Sequence, residues 1–298
     1  MFDVTILTQK EYVNPQNKDW YVNQIIKEDE LLIEELKKHN LKVNRVNWDA
    51  NYDWTKSKTV VVRAIWDYFN RFEEFVKWFN IAKTLTKFIN NAALITWNID
   101  KKYLIELETK GINIPQTLIL KKGTNTPLGE QMKKLEAHDF VLKPTISGAA
   151  RHTYRLNYAN LNQIERIFKK LIANEDLMLQ VFQQNIMDYG ELSLMCFNGK
   201  YSHAVKKMAK EGEFRVQDDF GGSVEQYNPT KSEIQFAETV MNHCLLLPTF
   251  GRVDIFYDNL NQLALGEVEV IEPELWLRYN KKAANKMANA IALQLKKS

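Results

Sequence analysis

The residues with the clearest chemical potential lie near the C-terminal end of the chain, in the stretch GRVDIFYDNLNQLALGEVEVIEP. A period of two places Arg252 and Asp254 on one face of a strand. The same period places Glu267 and Glu269 on one face of a following strand, after a polar turn. If the strands pair with their apolar faces together, carboxylates and a guanidinium share one surface. Such a surface either binds a divalent cation such as Mg²⁺ or is the solvated face of an ordinary sheet.

Basic side chains elsewhere could supply the anion-binding half of such a site. Lysines within strands are unusual unless they face a ligand, and Lys143 precedes a proline in an apolar run. The candidates for positive charge are Lys143, Lys206, Lys207, Arg215 and Arg252. With the acidic residues they indicate a site for a nucleoside triphosphate and Mg²⁺. The chain contains neither the GxxxxGK[ST] phosphate loop nor the HRD and DFG motifs of protein kinases.

Loops and strand ends supply further candidates for ligand contact. The loop of residues 145–153 is rich in small residues, includes Ser147, and could bring backbone N–H groups close to an anion, although an ordinary hairpin has the same pattern. Gly221 and Gly222 form a second site that is either flexible or allows close approach. Arg63 lies at the end of a predicted strand and Trp66 follows it, and strand ends are where ligands of α/β sheets bind. A local ion pair of Arg63 with Asp67 and a core position for Trp66 would also explain them.

Composition is that of an ordinary globular protein with room for two or three subdomains. The chain has 298 residues, 45% of them hydrophobic, and 40 basic against 37 acidic residues. This balance gives no argument for nucleic acid, and no window approaches a membrane span. The two cysteines lie far apart and the N-terminal residues lack a signal-peptide layout, so we expect a cytoplasmic setting.

The order of predicted elements begins with strand, helix, strand and strand, which favours a small α/β domain with a largely parallel sheet. Residues 71–88 are predicted to be helical and residues 92–97 to form a short strand. Asp100 is predicted to cap a helix over residues 101–110. Asn198 and Gly199 predict a tight hairpin further on, and residues 283–297 a last amphipathic helix.

From about Asp100 to Pro273 the order of motifs resembles the ATP-grasp superfamily, in the branch of glutathione synthetase and D-alanine:D-alanine ligase. The matching motifs are Asp100-Lys101, Lys143-Pro144, Gln180-Val181-Phe182, Glu191, Arg252-x-Asp254, and Glu267 with Glu269. The whole chain is most similar to O-ureido-serine cyclo-ligase-like proteins. That similarity adds Trp48-Asp49, Arg63-x-x-Trp66-Asp67-Tyr68, Trp78, Trp97-Asn98, Phe214-Arg215-Val216-Gln217 and Gly221-Gly222.

The resemblance implies an α/β (α+β) chain with the ATP-grasp fold. It places an N-terminal α/β pre-ATP-grasp domain at 1–97, a central ATP-grasp subdomain at 98–179 and a C-terminal subdomain with the metal site at 180–298. Nucleotide contacts are expected from Lys101, Lys143, Ser147, Gln180, Val181, Phe182, Glu191 and Lys207. Metal ligands are expected to be Asp254, Glu267 and Glu269, catalytic groups Arg252, Arg215 and Lys206, and substrate contacts Arg63, Trp66, Gly221 and Gly222.

The expected function is that of an ATP- and Mg²⁺-dependent ligase, with two ions and Mn²⁺ as a possible substitute. It would activate a carboxylate as an acyl phosphate for attack by an amine, from a second molecule or the same one. A small-molecule kinase and a nucleotide-binding module without turnover are the alternatives. The expected partner is a small, amino-acid-like substrate, and we expect a monomer or a homodimer.

Overall fold

The computed structural model describes residues 1–16, 18–148, 150–210 and 221–297. Its N-terminal elements are β1 (Phe2–Thr8), α1 (Lys10–Val13), α2 (Trp20–Lys38), β2 (Val43–Asn47), β3 (Ser57–Val62), α3 (Phe72–Leu85), β4 (Lys87–Ile89), α4 (Ala92–Ile99) and α5 (Tyr103–Thr109). The strands form a parallel sheet in the order β2-β1-β3-β4. The predicted small α/β domain with a parallel sheet is therefore present.

A second, antiparallel sheet follows. Its elements are β5 (Thr117–Leu120), α6 (Leu128–Met132), β6 (Asp139–Pro144), β7 (Tyr154–Asn157), α7 (Leu161–Ile172) and β8 (Leu177–Val181). The strand order is β5-β8-β6-β7. The helix α7 covers this sheet because Ile164, Phe168 and Ile172 recur every fourth residue and are all buried in its core.

The third sheet carries the acidic hairpin. Its region contains α8 (Gln184–Tyr189), β9 (Glu191–Phe197), β10 (Lys200–Met208), β11 (Ser223–Tyr227), α9 (Lys231–His243), β12 (Phe250–Tyr257), β13 (Leu263–Glu269) and α10 (Ala283–Lys297). The strands are antiparallel in the order β11-β10-β9-β12-β13. Asn198 and Gly199 both have positive φ between β9 and β10, so the predicted Asn-Gly turn is confirmed.

The N-terminal region and the third sheet share one hydrophobic core. Leu32 and Leu36 on α2 belong to the same buried cluster as Met287 and Ile291 on α10, together with Phe250 at the start of β12. This shared packing fixes the N-terminal region against the third sheet. It is the reason that a site can form between them.

The structure differs from the sequence prediction in the segment between the first two sheets. The helix α3 ends at Leu85, and the predicted continuation to residue 88 instead enters β4. Residues 92–97 form the helix α4 and not a strand, because the Asn91 side chain accepts a hydrogen bond from the Ala93 N–H and starts a helical turn. A short run that is apolar on every side does not distinguish the two states. The next helix begins at Tyr103, and Asp100 accepts from the Lys102 N–H just before it.

The boundaries proposed for the subdomains stay a prediction. The boundary after residue 97 falls inside α4, and the boundary after residue 179 falls inside β8, which pairs within the second sheet. Among the described residues, no helix has both the length and the apolar character needed to span a membrane.

Candidate active site

The acidic hairpin pairs as the alternation predicts. Arg252 lies opposite Glu269, and Asp254 lies opposite Glu267, in the antiparallel pair β12 and β13. Val253, Ile255, Leu265 and Val268 of the hairpin are buried in the core beneath it. Four charged side chains therefore share the opposite face. Because Arg252 and Asp254 are buried, this face is not the ordinary solvated surface of a sheet.

A β-bulge shapes the acidic hairpin at Gly266. The register shifts after the Asp254 pair, so that Gly266 is the extra residue on β13. A Cβ at this position would lie 3.1 Å from the Phe256 ring and 3.4 Å from the Asp254 carbonyl. A glycine therefore lets the two strands approach closely at the point where Asp254 and Glu267 face each other.

Arg252 and Asp254 form the centre of the charged face. The Arg252 Nε lies 2.9 Å from Asp254 Oδ1, its Nη2 lies 2.8 Å from Asp254 Oδ2, and the same Nη2 lies 2.5 Å from Glu269 Oε1. The Ser193 hydroxyl donates to Asp254 at 2.5 Å, and Lys207 Nζ lies 3.4 Å away. Although burial works against its charge, Arg252 and Lys207 hold the pKa of Asp254 well below its usual range.

Three lysines from three different strands and loops face the acidic hairpin. Lys101 Nζ lies 2.8 Å from Glu267 Oε1 and donates to the Ser147 carbonyl at 2.6 Å. Lys207 forms an ion pair with Glu191. Lys143, on β6, has no hydrogen-bond or ion-pair partner among the described residues. Burial lowers the pKa of Lys143 to about 8, although Glu267 and Glu191 act in the opposite direction from a distance. A ligand phosphate could supply the counter-charge in direct contact that the ammonium lacks.

Two adjoining cavities connect these residues. The larger, about 770 Å³, is lined by the three lysines, Arg252, Glu267 and Glu269 on one side. On its other side it is lined by Trp66, Tyr68, Glu272 and residues of the N-terminal region. The smaller, about 180 Å³, lies between the second and third sheets and is lined by Gln180, Val181, Phe182, Glu191 and Asp254. Lys143, Lys207 and Glu191 line both cavities.

The predicted hinge strand lies at the smaller cavity with its amide groups already in use. The Val181 N–H donates to the Gln116 carbonyl at 3.0 Å, and the Phe182 N–H donates to the Asp139 carbonyl at 2.9 Å. The Phe182 carbonyl accepts from Asn259 at 2.9 Å. A ligand base in this cavity would therefore bond to the remaining carbonyl lone pairs or to side chains.

The fit of a divalent cation can be judged from the donor set. Asp254, Glu267 and Glu269 each form an ion pair with an arginine or lysine side chain, so each carboxylate lies in a position that suits a positive charge. In the described part of the chain, no three His, Cys, Asp or Glu side chains converge closely enough to hold a metal ion as they stand. Mg²⁺ is commonly held by one or two carboxylates plus phosphate oxygens. The three carboxylates therefore fit Mg²⁺ when phosphate oxygens of a ligand complete its coordination.

Two asparagines outside the third sheet hold the free edge of the acidic hairpin. The Asn98 Nδ2 donates to the Val268 carbonyl at 2.7 Å, and its Oδ1 accepts from the Val270 N–H at 3.0 Å. The Asn90 Nδ2 donates to the Val270 carbonyl at 2.7 Å. Since β13 is the edge strand, these side chains take the place of a neighbouring strand. They fix the backbone that carries Glu267 and Glu269.

We expect Asn98→Ala to lower the free energy of unfolding by about 3 kcal/mol, because it leaves a buried C=O and a buried N–H without partners. Urea denaturation followed by circular dichroism measures this change. Asn289→Ala is the matched control, because Asn289 is exposed on α10 and its amide donates to the exposed Asn285 side chain. A loss in Asn98→Ala no larger than in the control would contradict the assignment.

Several predicted site residues lie elsewhere. Arg63 does not line either cavity, because its guanidinium is buried between Glu28, at 3.0 Å, and the Pro273 carbonyl, at 2.9 Å. The two cavities therefore give no support to its predicted role in substrate contact, which stays a prediction. Lys206 lies on the opposite face of β10 from Lys207 and lines neither cavity, so its predicted catalytic role is also not supported.

The other predicted contacts are distributed unevenly. Trp66 and Ser147 line the larger cavity. Gly221 and Gly222 line neither cavity in the described part of the chain and stand just before β11. Arg215 and its motif Phe214-Arg215-Val216-Gln217 lie outside the described residues.

The sequence argument missed Glu272 and Ser193. Continuing the period of two from Glu267 and Glu269 assigns Glu272 to the buried face, but β13 ends at Glu269 and the chain turns there, so Glu272 reaches the cavity. Ser193 is fully buried within β9, and only the pairing of β9 with β12 shows that it faces Asp254. No pattern in the sequence alone would have identified Ser193 as a site residue.

A parallel N-terminal sheet followed by two antiparallel sheets around a cavity of lysines and carboxylates defines the ATP-grasp fold. Residues 105–273, more than half of the chain, match the family described as prokaryotic glutathione synthetase, ATP-grasp domain. The chain belongs to this family. Residues 4–90 match the family described as D-cycloserine synthetase DcsG, N-terminal domain.

Individual relatives agree with this assignment. The cycloserine biosynthesis protein DcsG of Streptomyces lavendulae is 28% identical over 259 residues, which cover 83% of this chain and 87% of that protein. The crystal structure of D-cycloserine synthetase DcsG has a TM-score of 0.86 at 24% identity and covers 98% of this chain and 99% of that one. D-alanine–D-alanine ligase from Bacillus anthracis complexed with ATP has a TM-score of 0.68 at 12% identity, covering 100% and 98%.

These findings confirm the predicted superfamily and fold. They also confirm the predicted class of enzyme, an ATP-dependent ligase. The family implies the use of ATP and of a divalent metal ion.

Proposed function

We propose that the protein uses ATP and Mg²⁺ to activate the carboxylate of a small, amino-acid-like molecule as an acyl phosphate, which an amine of the same or of a second molecule then attacks. One observation carries the proposal. The larger cavity joins the acids of the third sheet, and the three lysines that face them, to an end lined by N-terminal aromatic residues. A second reactant can therefore reach the place where a nucleotide's terminal phosphate would lie.

The smaller cavity suits the base and ribose of the nucleotide. Gln180, Val181 and Phe182 form one wall, and the Glu191 carboxylate lies where it could accept hydrogen bonds from ribose hydroxyls. Lys143 and Lys207 reach from this cavity into the larger one. In this arrangement Lys101 and Lys143 contact the phosphates, and Ser147 lies beside them.

Asp254, Glu267 and Glu269 would hold the divalent ions together with phosphate oxygens. Bound there, Mg²⁺ supplies neutralisation of the phosphate charge during in-line transfer of the γ-phosphoryl group. The rest of the work falls to the chain's own residues. Arg252 is oriented by two hydrogen bonds from its guanidinium to Asp254, so it offers a preorganised donor to the oxygen on which charge develops.

The chemistry requires no nucleophilic side chain, and the buried candidates are unsuited to that role. Burial raises the pKa of the Cys244 thiol to about 12 and raises the pKa of Cys196 as well. His203 is also buried, which lowers its pKa to about 4, and its Nε2 lies 2.7 Å from the Leu275 carbonyl. The amine nucleophile must therefore come from a substrate.

The test is an ADP-release screen with Mg²⁺-ATP against amino acids and ureido or amino acids that carry tethered nucleophiles. We expect ADP and free phosphate to form with at least one acid, together with an amide or a cyclic product. A stable phosphorylated product would favour a kinase. No ADP release in any mixture, with ATP binding unaffected by Glu267→Gln, would indicate a nucleotide-binding module.

We expect Lys143→Gln to raise the dissociation constant of ATP about fivefold at pH 7, which corresponds to about 1 kcal/mol. Because burial lowers the pKa of Lys143 to about 8, the ammonium loses its proton as the pH rises through 8, and phosphate binding must restore it. Metal-free ATP affinity should therefore fall above pH 8 in the native protein. Calorimetric titrations from pH 7 to pH 9.5 measure this dependence.

Lys206→Gln provides the matched control, since Lys206 lies on the same strand as Lys207 but lines neither cavity. Its ATP affinity should follow that of the native protein at every pH. Equal affinities of native protein and Lys143→Gln would remove Lys143 from the phosphate site.

A further inference from the structure

The larger cavity contains two charged side chains without an oppositely charged partner among the described residues. These are Lys143 and Glu272, whereas the other charged residues that line it form ion pairs. Lys143 also lines the smaller cavity, and Glu272 does not. The unmatched cation therefore lies at the nucleotide end, and the unmatched anion lies at the end that remains for the second reactant.

The neighbouring acids at that end show that Glu272 is exceptional. Asp67 lies 3.0 Å from Arg71, and Glu274 lies 2.9 Å from Arg278, so both carry an arginine counter-charge. The Glu272 carboxylate interacts with the hydroxyl of Tyr68, which is neutral. Lys101 also favours its ionised form, but the Lys101 ammonium is itself paired with Glu267 at 2.8 Å. A buried carboxylate without a paired cation is unfavourable unless a ligand supplies the positive charge.

An aromatic cluster centred on Trp66 lies beside Glu272. The Trp66 Nε1 donates to the Glu272 carbonyl at 2.8 Å, which fixes the indole beside this residue. The Trp66 ring lies 6.0 Å from the Tyr12 ring and 6.3 Å from the Tyr21 ring, and all three residues line the cavity. A carboxylate next to aromatic rings is a combination that binds a protonated amine through charge and through the faces of the rings.

Burial supports the same conclusion. It raises the pKa of Glu272 to about 7, so the carboxyl group without a ligand is partly protonated near neutral pH. A cation bound beside it would favour the ionised form. An acid or phosphate of the substrate at this position would instead meet a like charge.

We propose that Glu272, with Trp66 beside it, binds the protonated amino group of the carboxylate substrate and so selects amino acids over simple or hydroxy acids. This inference rests on the proposed ligase function. The amino group then lies at the N-terminal end of the cavity, and the carboxylate of the same molecule extends towards Arg252 and the nucleotide end. Glu272 is thus a specificity-determining residue, and Asp67 and Glu274 are not.

The experiment compares pairs of acids that differ only in the amino group. Alanine is paired with propionate, serine with 3-hydroxypropionate, and O-ureido-serine with its analogue in which hydrogen replaces the amino group. Each compound is measured in two ways: by ADP release with Mg²⁺-ATP, and by tryptophan fluorescence titration with a non-hydrolysable ATP analogue. For a pair that is bound, we expect the amino acid to bind at least tenfold more tightly than its partner.

Glu272→Gln keeps the shape and the contact to Tyr68 but removes the charge, and should reduce this preference to twofold or less. Glu274→Gln is the matched control and should retain the preference, because Glu274 is paired with Arg278. Thermal unfolding of both variants establishes that they are folded. The Mg²⁺ concentration for half-maximal activity should be the same in Glu272→Gln as in the native protein.

The outcomes separate this inference from the proposed function. Equal binding of amino acids and their analogues by the native protein, or an unchanged preference in Glu272→Gln, would overturn the inference even if ADP is released. A raised Mg²⁺ requirement with an unchanged preference would identify Glu272 as a metal ligand and overturn it as well. No ADP release with any acid would contradict the ligase, while the fluorescence titrations would still decide the role of Glu272.

Discussion

Arg252→Ala should lower kcat about a hundredfold, with a smaller change in the apparent affinity for ATP. The guanidinium is held in one orientation by Asp254 and Glu269 and faces the cavity between the nucleotide end and the acceptor end. A preorganised donor that stabilises developing charge contributes about 3 kcal/mol to the transition state, which is a factor of roughly 10² in rate. Steady-state kinetics at saturating ATP and acid measure the loss.

Arg252→Lys distinguishes charge from geometry. Lysine keeps the positive charge but cannot make the two parallel hydrogen bonds that the guanidinium makes with Asp254. We therefore expect it to recover only part of the activity. If charge alone mattered, Arg252→Lys would match the native enzyme, and the proposed role of orientation would be wrong.

Loss of stability must be separated from loss of catalysis, since Arg252 is also buried in a network of ion pairs. Arg45→Ala is the matched control: Arg45 binds Asp29 at 2.7 Å in the N-terminal region and does not line the larger cavity. Both variants should unfold at lower temperature than the native protein. Arg45→Ala should keep its kcat within about twofold of the native value. If kcat fell by a similar factor in both variants, the effect of Arg252→Ala would be explained by lost stability and not by lost catalysis.

The parts of the site that could be predicted are those encoded by local patterns. Alternation of apolar and charged residues places Asp254 and Glu267 on one face of a hairpin, and the structure pairs them directly. The Asn-Gly turn fixes the preceding hairpin and with it the phase of β10. These patterns involve neighbouring residues, so tertiary context changes them little.

The residues whose positions the local pattern does not determine have contacts with partners far away in the chain. Arg63 looks like a ligand-binding residue at a strand end, but its partners are Glu28 and the carbonyl of Pro273, separated from it by 35 and 210 residues. Lys206 and Lys207 are adjacent basic residues, and only the pairing of β10 decides which one faces Asp254. Glu272 was missed because the strand period ends before it.

The subdomain boundaries show the same difference between local and long-range information. The whole of β8, Leu177–Val181, belongs to the second sheet, because it pairs with β5 and β6. A boundary drawn at a motif, as after residue 179, divides this strand. Motifs mark where ligands bind, and ligands bind where subdomains meet, so motifs and boundaries coincide only approximately.

Glu269→Gln should lower turnover at least tenfold, about 1.4 kcal/mol, and raise the Mg²⁺ concentration needed for half-maximal ADP release. The substitution removes one of the two partly buried carboxylates of β13 and also one of the two acids that hold Arg252. Glu238→Gln is the matched control, since Glu238 likewise forms an ion pair, at 2.8 Å to Lys200, but lies on the outer side of the third sheet away from the cavities. Its Mg²⁺ titration should superimpose on that of the native enzyme. If the titration of Glu269→Gln did so too, and its ADP release were unchanged, Glu269 would not be a metal ligand, and the charge of the acidic hairpin would serve only to orient Arg252.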